Sequence, residues 1–217
     1  MMNWLYKLER RFGRFGIPNL MLYVAAGQAI VWLVVMFAYY PLYFLLDLNR
    51  TGLLAGQVWR LVSFVFLPPL TTSPIYVVLE IYLLYWLGSA LERTWGSFKF
   101  TVYFLLGMIG AWLGCLITGS AGNTALYYSL FFAFAYLYPE TQLLLFFVLP
   151  VKVKWLGWIS AALYLFQWIT APLGQKLAML AGLLGFWVFF GKGGIGRIRQ
   201  KITNYRRRKA WQNQWRQ

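Results

Sequence analysis

The feature that most constrains this chain is a succession of apolar stretches, each close to the length of a helix that crosses a bilayer. Such a helix needs roughly 20 predominantly apolar residues. Hydrophobic residues make up 61% of the chain and charged residues only 12%, whereas a water-soluble domain needs much more polar surface. The sequence therefore predicts an all-α, multi-pass integral membrane protein.

Six spans are predicted from these stretches and from the prolines, glycines and charged residues that separate them. Their approximate bounds are 20–40, 75–92, 98–118, 123–138, 155–171 and 176–191. The connection at 41–74 is too apolar for a solvated loop, and Pro68, Pro69 and Pro74 within it break helices. Because lipid does not tolerate exposed irregular backbone, this first loop is expected to be half-buried. The apolar run at 141–154 is too short to span and is expected to bend at the interface.

The distribution of Lys and Arg predicts the orientation in the membrane. Six spans place both termini on one side, and the other side then holds only Arg50, Arg60 and Lys176 of the 20 basic residues. Because cytoplasmic loops carry the excess of positive charge, both termini are predicted to be cytoplasmic. This bias, without long linkers, favours a bacterial plasma membrane.

Three segments follow from this layout: a basic amphipathic N-terminal segment at 1–18, a membrane domain at 19–191 and a basic cytoplasmic tail at 192–217. The tail supplies much of the net charge of +15. A basic segment beside a membrane attracts anionic lipid, so we expect lipid rather than nucleic acid as its partner. Trp211 and Trp215 in the tail would also suit RNA, which is the weaker alternative.

The residues needed for several kinds of chemistry are missing. The chain contains no His, and its lone Cys115 can form neither an internal disulfide nor a Cys/His metal cluster. No phosphate-binding Gly-rich loop is present. The sequence therefore predicts no metal and no cofactor.

Five short motifs follow one another along nearly the whole chain. They are Trp59-Arg60 before a Phe-rich stretch ending at Pro68, Gly88 with Leu91-Glu92-Arg93, the helix glycines Gly107, Gly110 and Gly114, the turn Gly122-Asn123-Thr124-Ala125, and Ala178–Gly185. The helix glycines predict close packing of the third span against its neighbours. In order and spacing the motifs resemble the rhomboid superfamily. The resemblance implies a six-helix rhomboid-like bundle with a half-buried first loop.

Rhomboid proteases cut transmembrane segments with a Ser–His dyad, assisted by a His and an Asn in the second helix. The resemblance puts the Ser position at Thr124, the dyad His at Met179, and the second-helix pair at Tyr76 and Glu80. A hydroxyl is a poor nucleophile until a base takes its proton, and Met179 cannot accept one. The charge of Glu80 would repel an oxyanion. The sequence therefore predicts a pseudoprotease that is not an enzyme.

Within the superfamily the chain is most similar to the derlins, which share the Trp-Arg element and a second-helix pattern like Tyr82-Leu83-Leu84-Tyr85. Derlins bind misfolded or membrane-anchored clients and help to extract them. The resemblance implies a non-catalytic protein that binds transmembrane segments of clients in quality control or trafficking. A cytoplasmic unfoldase or protease is the implied partner of the tail.

Glu80 is the single residue that most clearly indicates a function. A charged side chain inside a span costs about 2.5–3.5 kcal/mol on insertion scales, so a functional role is the default hypothesis. Tyr76 precedes it by four residues and lies on the same helix face. We expect a Tyr76–Glu80 hydrogen bond in a polar client-binding cavity shared with Thr124 and Met179. The structural alternative is a protonated Glu80 that holds helices together.

Other polar residues have plainer interpretations. Trp59 and Arg60 are expected to anchor the first loop at the membrane surface. An intramembrane protease with Thr124 or Ser129 as nucleophile and Lys176 as base is the enzymatic alternative, but helix packing and a snorkelling lysine are the preferred explanation of these residues. A transporter with Glu80 as a proton-coupled group would need repeats, which the sequence lacks.

Overall fold

The computed structural model describes residues 9–68, 73–145 and 149–191, so residues 1–8 and the predicted tail at 192–217 lie outside the described part. Its helices are α1 (Leu20–Phe37), α2 (Leu42–Leu46), α3 (Arg50–Leu54), α4 (Arg60–Ser63), α5 (Pro74–Trp95), α6 (Ser97–Thr118), α7 (Thr124–Leu137), α8 (Val153–Thr170), α9 (Leu173–Gly182) and α10 (Leu184–Gly191). Short 3-10 turns lie at Gly13–Phe15 and Phe64–Phe66.

Three helical segments of the described chain are long and apolar enough to cross a membrane: Glu9–Phe37, α5 and α6. The pair α9 and α10 makes a fourth if it is one span, bent by 55° at Leu183. α7 is apolar but has only 14 residues, a length of about 21 Å. The mostly helical membrane architecture is thus confirmed, whereas the number of six spans stays a prediction.

α6 lies at the centre of the bundle and is the most deeply buried of the long helices. A Cβ on Gly110 would lie 2.0 Å from the carbonyl oxygen of Ala181 in α9, and one on Gly114 would lie 3.2 Å from the Ala178 Cβ. Two backbones can approach this closely only where the side chain is a hydrogen atom. The close packing predicted for the glycines of the third span is therefore confirmed.

The first loop is more regular than the sequence predicts. It folds into α2, α3, α4 and the turn Phe64–Phe66, and its two-residue strand β1 (Leu48–Asn49) pairs antiparallel with β2 (Ser120–Ala121). Trp112 of α6 donates its indole N–H to the Leu61 carbonyl at 2.9 Å. Short helices satisfy most backbone groups internally, which a loop packed beside a membrane requires.

The expected bend at 141–154 is a β-hairpin, so the class is not purely all-α. Strand β3 (Gln142–Leu145) pairs antiparallel with β4 (Leu149–Lys152), and Gln142 lies opposite Lys152. At its base the Glu140 carboxylate contacts the ammonium groups of Lys152 at 2.7 Å and Lys154 at 2.9 Å. Hydrogen bonds from these two lysines lower the pKa of Glu140 to about 2.

Candidate functional site

One side of α5 carries a stripe of residues spaced alternately by three and four, which puts them on the same face of a helix. The stripe consists of Val77, Glu80, Leu84, Leu87 and Leu91. Its four apolar members are buried in the bundle, from 0% exposure at Val77 to 6% at Leu84. Glu80 alone is exposed. The bundle must therefore be open beside Glu80, although the face that carries it packs inward above and below.

The half of α5 that ends at Trp95, which we call the inner half because the predicted topology puts it on the cytoplasmic side, is held tightly. The Glu92 carboxylate accepts hydrogen bonds from the Asn19 backbone N–H at 2.7 Å and from the Ser97 hydroxyl at 2.9 Å. The Thr94 hydroxyl is hydrogen-bonded to the Tyr138 hydroxyl, just beyond the end of α7. These bonds join α5 to α1, α6 and the end of α7.

The outer half of α5, toward Pro74, is covered less than the inner half. Tyr76 and Leu83 lie on the same side of the helix as Ala90, whose carbonyl accepts from the Tyr138 hydroxyl at 3.5 Å. Yet Tyr76 is 62% exposed and Leu83 is 37% exposed. This side of α5 is therefore open toward the outer end. We name the opening lined by Tyr76, Glu80, Leu83 and Tyr127 the crevice.

Tyr127 of α7 forms the polar wall of the crevice, close enough to Glu80 for an electrostatic interaction between the two groups. Its hydroxyl donates to the Val65 carbonyl at 2.8 Å. It accepts from the side-chain amides of Asn123, at 3.2 Å, and of Gln28. The single proton and both lone pairs of this hydroxyl are therefore in use.

Gln28 and Asn123 extend this network to the end of the first loop. The Asn123 amide donates to the Leu67 carbonyl at 2.8 Å and to the Phe64 carbonyl at 3.3 Å. The Gln28 amide donates to the Leu67 carbonyl at 3.4 Å and also to that of Val65. Pro68 follows the 3-10 turn and has no backbone N–H to donate to these carbonyls. They therefore need side-chain donors in an apolar setting.

Sequence reasoning did not single out Gln28 or Tyr127. Gln28 is only 2% exposed, and it is the one amide side chain among the apolar residues of α1. Polar residues within a span mark interior contacts, so this amide was the available signal. Tyr127 gave none, because tyrosines are frequent throughout the chain.

Two of the predicted site residues, Thr124 and Met179, lie on helices that contact each other. Thr124 is the first residue of α7 and is exposed, while Met179 is half-buried on α9. A Cβ on Gly182 would lie 2.4 Å from the Cβ of Ala125, the residue after Thr124. The Met179 carbonyl accepts a hydrogen bond from Tyr164 of α8 at 2.9 Å.

The predicted Tyr76–Glu80 hydrogen bond is not formed among the described residues. Both side chains are exposed. The two residues line the same crevice, as their spacing of four predicts, but no hydrogen bond joins them in the described chain.

The residues of the enzymatic alternative have other partners in the described chain. Ser129 is fully buried, and its hydroxyl lies 2.6 Å from the hydroxyl of Tyr103. The Lys176 ammonium lies 5.7 Å from the ring centroid of Trp168, over its face. Neither hydroxyl, of Thr124 or of Ser129, is hydrogen-bonded to this lysine.

The structure gives Arg60 a role inside the first loop. Arg60 is buried, and its guanidinium donates to the Gln57 side chain at 2.6 Å and to the carbonyls of Phe44 at 2.8 Å and Asp47 at 2.5 Å. Burial raises the pKa of Asp47, although the charge of Arg60 acts in the opposite direction. Trp59 is half-exposed, so the predicted anchoring at the membrane surface rests on Trp59 and stays a prediction.

Helix α8 is the loosest wall near the crevice. Val153, at its start, is its only buried residue, and large apolar side chains such as Trp158 and Phe166 are exposed. α5 and α8 each pack against α7 but not closely against each other.

In the described chain no group of three or more His, Cys, Asp or Glu side chains could hold a metal ion.

Comparison with known proteins agrees with this architecture. The family model described as the rhomboid domain matches residues 55–194, from the first loop to just past α10. Neither the curated proteins nor the solved structures gave a significant match. Because the matched segment covers well over half of the 217 residues, the chain belongs to the rhomboid family.

Proposed function

We propose that this rhomboid-family membrane protein binds transmembrane segments of client proteins without cleaving them, in membrane-protein quality control or trafficking. The observation that carries the proposal is the crevice. It opens an otherwise packed face of α5 to the membrane, and it contains a carboxylate beside a polar wall. A carboxylate beside a polar wall within the membrane suits a helix with an unsatisfied polar side chain.

Client helices would enter between α5 and α8. This route is supported by the exposure of α8, whose only buried residue is Val153, and by the absence of close packing between α5 and α8 in the described chain. The inner half of α5 stays fixed through Glu92 and Thr94 during such a movement.

Binding without cleavage is supported by the chemistry of the dyad positions. The chain contains no His, and Met179 offers no basic nitrogen. Ser129 is fully enclosed, so a client backbone could not reach its hydroxyl without opening α6 and α7. Lys176 lies over Trp168 instead of beside a hydroxyl.

The remaining features complete the proposal as expectations. Both termini are cytoplasmic, in a bacterial plasma membrane, and the basic tail at 192–217 binds anionic lipid or recruits an unfoldase or protease. Delivery to such a partner would turn reversible binding into extraction.

The test is site-specific photocrosslinking in liposomes that also contain a single-span client. We expect a crosslinker at Leu83, in the crevice, to capture the client. The control is a crosslinker at Ile30, an equally apolar position that is 61% exposed on α1 and is expected to capture mainly lipid. Equal capture from both positions would show non-specific proximity and refute the crevice as the binding site.

The protease alternative is tested in the same liposomes. Thr124 keeps this alternative open, because it is an exposed hydroxyl at the first residue of α7. We expect no cleavage above background from the wild type. Cleavage that disappears in Thr124→Ala, Ser129→Ala or Lys176→Ala would refute a purely binding role and identify a His-independent protease.

A further inference from the structure

The carboxylate of Glu80 occupies a packing position with no partner from the rest of the described chain. It lies in the stripe between Val77 and Leu84, both buried, and is itself exposed in the crevice. Among the described residues it forms no salt bridge and no hydrogen bond. An unpaired carboxylate at membrane depth is costly, which suggests that its partner comes from outside the chain.

The Tyr127 hydroxyl, in the wall of the crevice, cannot serve as that partner. The Tyr127 hydroxyl donates its only proton to the Val65 carbonyl at 2.8 Å and accepts from Asn123 and Gln28. It therefore has no proton left for Glu80. Of the three cations that the predicted topology puts on this side of the membrane, Arg60 is enclosed by its loop and Lys176 lies over Trp168. The third, Arg50, is exposed at the first residue of α3 and forms no salt bridge with Glu80.

We propose that the crevice selects client helices that carry a Lys or Arg within the membrane, with Glu80 as the acceptor of that basic group. This inference rests on the proposed function and specifies its client class. Charge complementarity carries it. A basic side chain in a lone span and an unpaired carboxylate in the crevice each cost free energy in lipid, and pairing them relieves both costs.

The position of Glu80 along α5 determines the membrane depth at which the basic group of a client would bind. Glu80 lies six residues after Pro74, the first residue of α5, which is about 9 Å along the helix at 1.5 Å per residue. Client helices should therefore carry the Lys or Arg about six residues from their outer end. A basic group at the opposite end of the client would lie beside the tightly packed inner half of α5.

The experiment uses the full-length protein in liposomes with three test helices that differ at one position, six residues from the outer end: Lys, Leu or Glu. Binding is measured by energy transfer between labels on protein and helix. We expect the Lys helix to bind about tenfold more tightly than the Leu helix, a difference of about 1.4 kcal/mol, and the Glu helix to bind most weakly. Moving the Lys to the inner end should abolish its advantage.

Three variants separate the charge from the shape of the crevice. Glu80→Gln is nearly isosteric and should remove the preference for Lys while binding of the Leu helix stays unchanged. Glu80→Lys should reverse the order and favour the Glu helix. Leu79→Gln is the matched control, because it adds an amide to the neighbouring exposed position outside the stripe and should leave the preference intact.

The outcomes separate the inference from the proposed function. Equal binding of the Lys and Leu helices by the wild type, or a Lys preference that persists in Glu80→Gln, overturns the inference and leaves client binding standing. Failure of all three helices to bind overturns the proposed function itself.

Discussion

Replacement of Gly110 by Ala is expected to destabilise the protein far more than the same replacement at Gly107, about one turn earlier on α6. A Cβ at Gly110 would lie 2.0 Å from the carbonyl oxygen of Ala181, and a Cβ at Gly107 would lie 2.1 Å from Cδ1 of Leu126. The two overlaps are nearly equal in size but differ in what must move. At Gly110 the obstacle is the backbone of α9, and at Gly107 it is the end of a rotatable side chain.

The magnitude follows from these distances. Ordinary contacts of a Cβ begin at 3.4 Å, so the new methyl group at Gly110 must push α9 away from α6 by about 1.4 Å. Overpacking of this kind costs about 1–3 kcal/mol, and we expect the upper end because a backbone cannot rotate aside. Ala gains about 1 kcal/mol over Gly in helix propensity, which offsets the smaller cost at Gly107 and leaves that variant near neutral.

The assay uses Cys115, the lone cysteine, which is fully buried on α6. Its labelling by a thiol reagent during an SDS titration in mild detergent reports the opening of the bundle around α6. Gly110→Ala should shift the labelling midpoint to markedly lower SDS, and Gly107→Ala should match the wild type. Equal midpoints for the two variants, or a larger shift at Gly107, would refute the argument from backbone contact.

Three further predictions concern other parts of the fold. Arg60→Ala leaves two loop carbonyls without their donor, at about 1–3 kcal/mol each, and should make the first loop sensitive to limited proteolysis. Glu140 has a folded pKa lowered from 4.5 to about 2, so its stabilising effect is complete above 4.5 and is lost as pH falls toward 2; Glu140→Gln should abolish that part of the pH dependence of thermal unfolding. Tyr127→Phe removes the hydrogen bond to the Val65 carbonyl and should cost about 1 kcal/mol, measured by SDS titration, because Gln28 still serves that carbonyl.

The long helices could be predicted from the sequence because the bilayer restricts the choices so strongly. The expected spans at 75–92 and 98–118 differ by at most three residues at either end from α5 and α6. Apolar length and flanking charges are enough where every backbone group must be satisfied within its own helix. The last span was harder, because nothing in its apolar composition indicates the break at Leu183.

The connections could not be predicted to the same degree. The aliphatic run after Pro139 suits a strand as well as a helix turn, since short apolar runs carry no decisive period. The Glu140 carboxylate binds both Lys152 and Lys154 at the base of the hairpin, a contact between residues that are distant in sequence. Arg60 was assigned to the membrane surface because its acceptors, the carbonyls of Phe44 and Asp47, come from another helix of the loop.

Part of the candidate site could be predicted from the sequence. The unusual carboxylate Glu80 was evident from the cost of a charge within a span, and its spacing to Tyr76 was evident from helix geometry. That Glu80 lies in the packing stripe and yet is exposed depends on which parts of α5 the neighbouring helices cover, which is a property of several helices together. The same is true of the Tyr127 hydroxyl, whose bonds come from three separate segments.

The length of α7 has a consequence for the surrounding lipid. Its 14 residues extend about 21 Å, whereas the hydrocarbon core of a bilayer is about 30 Å thick. Each ångström of mismatch costs a fraction of a kcal/mol, so lipids with shorter acyl chains should collect along this wall. A client helix of ordinary length would be too long for this thinner layer of lipid. Its free energy would fall when it moves from that lipid into the protein. Under the proposed function, we therefore expect acyl-chain composition to affect client capture without a change in any side chain of the protein.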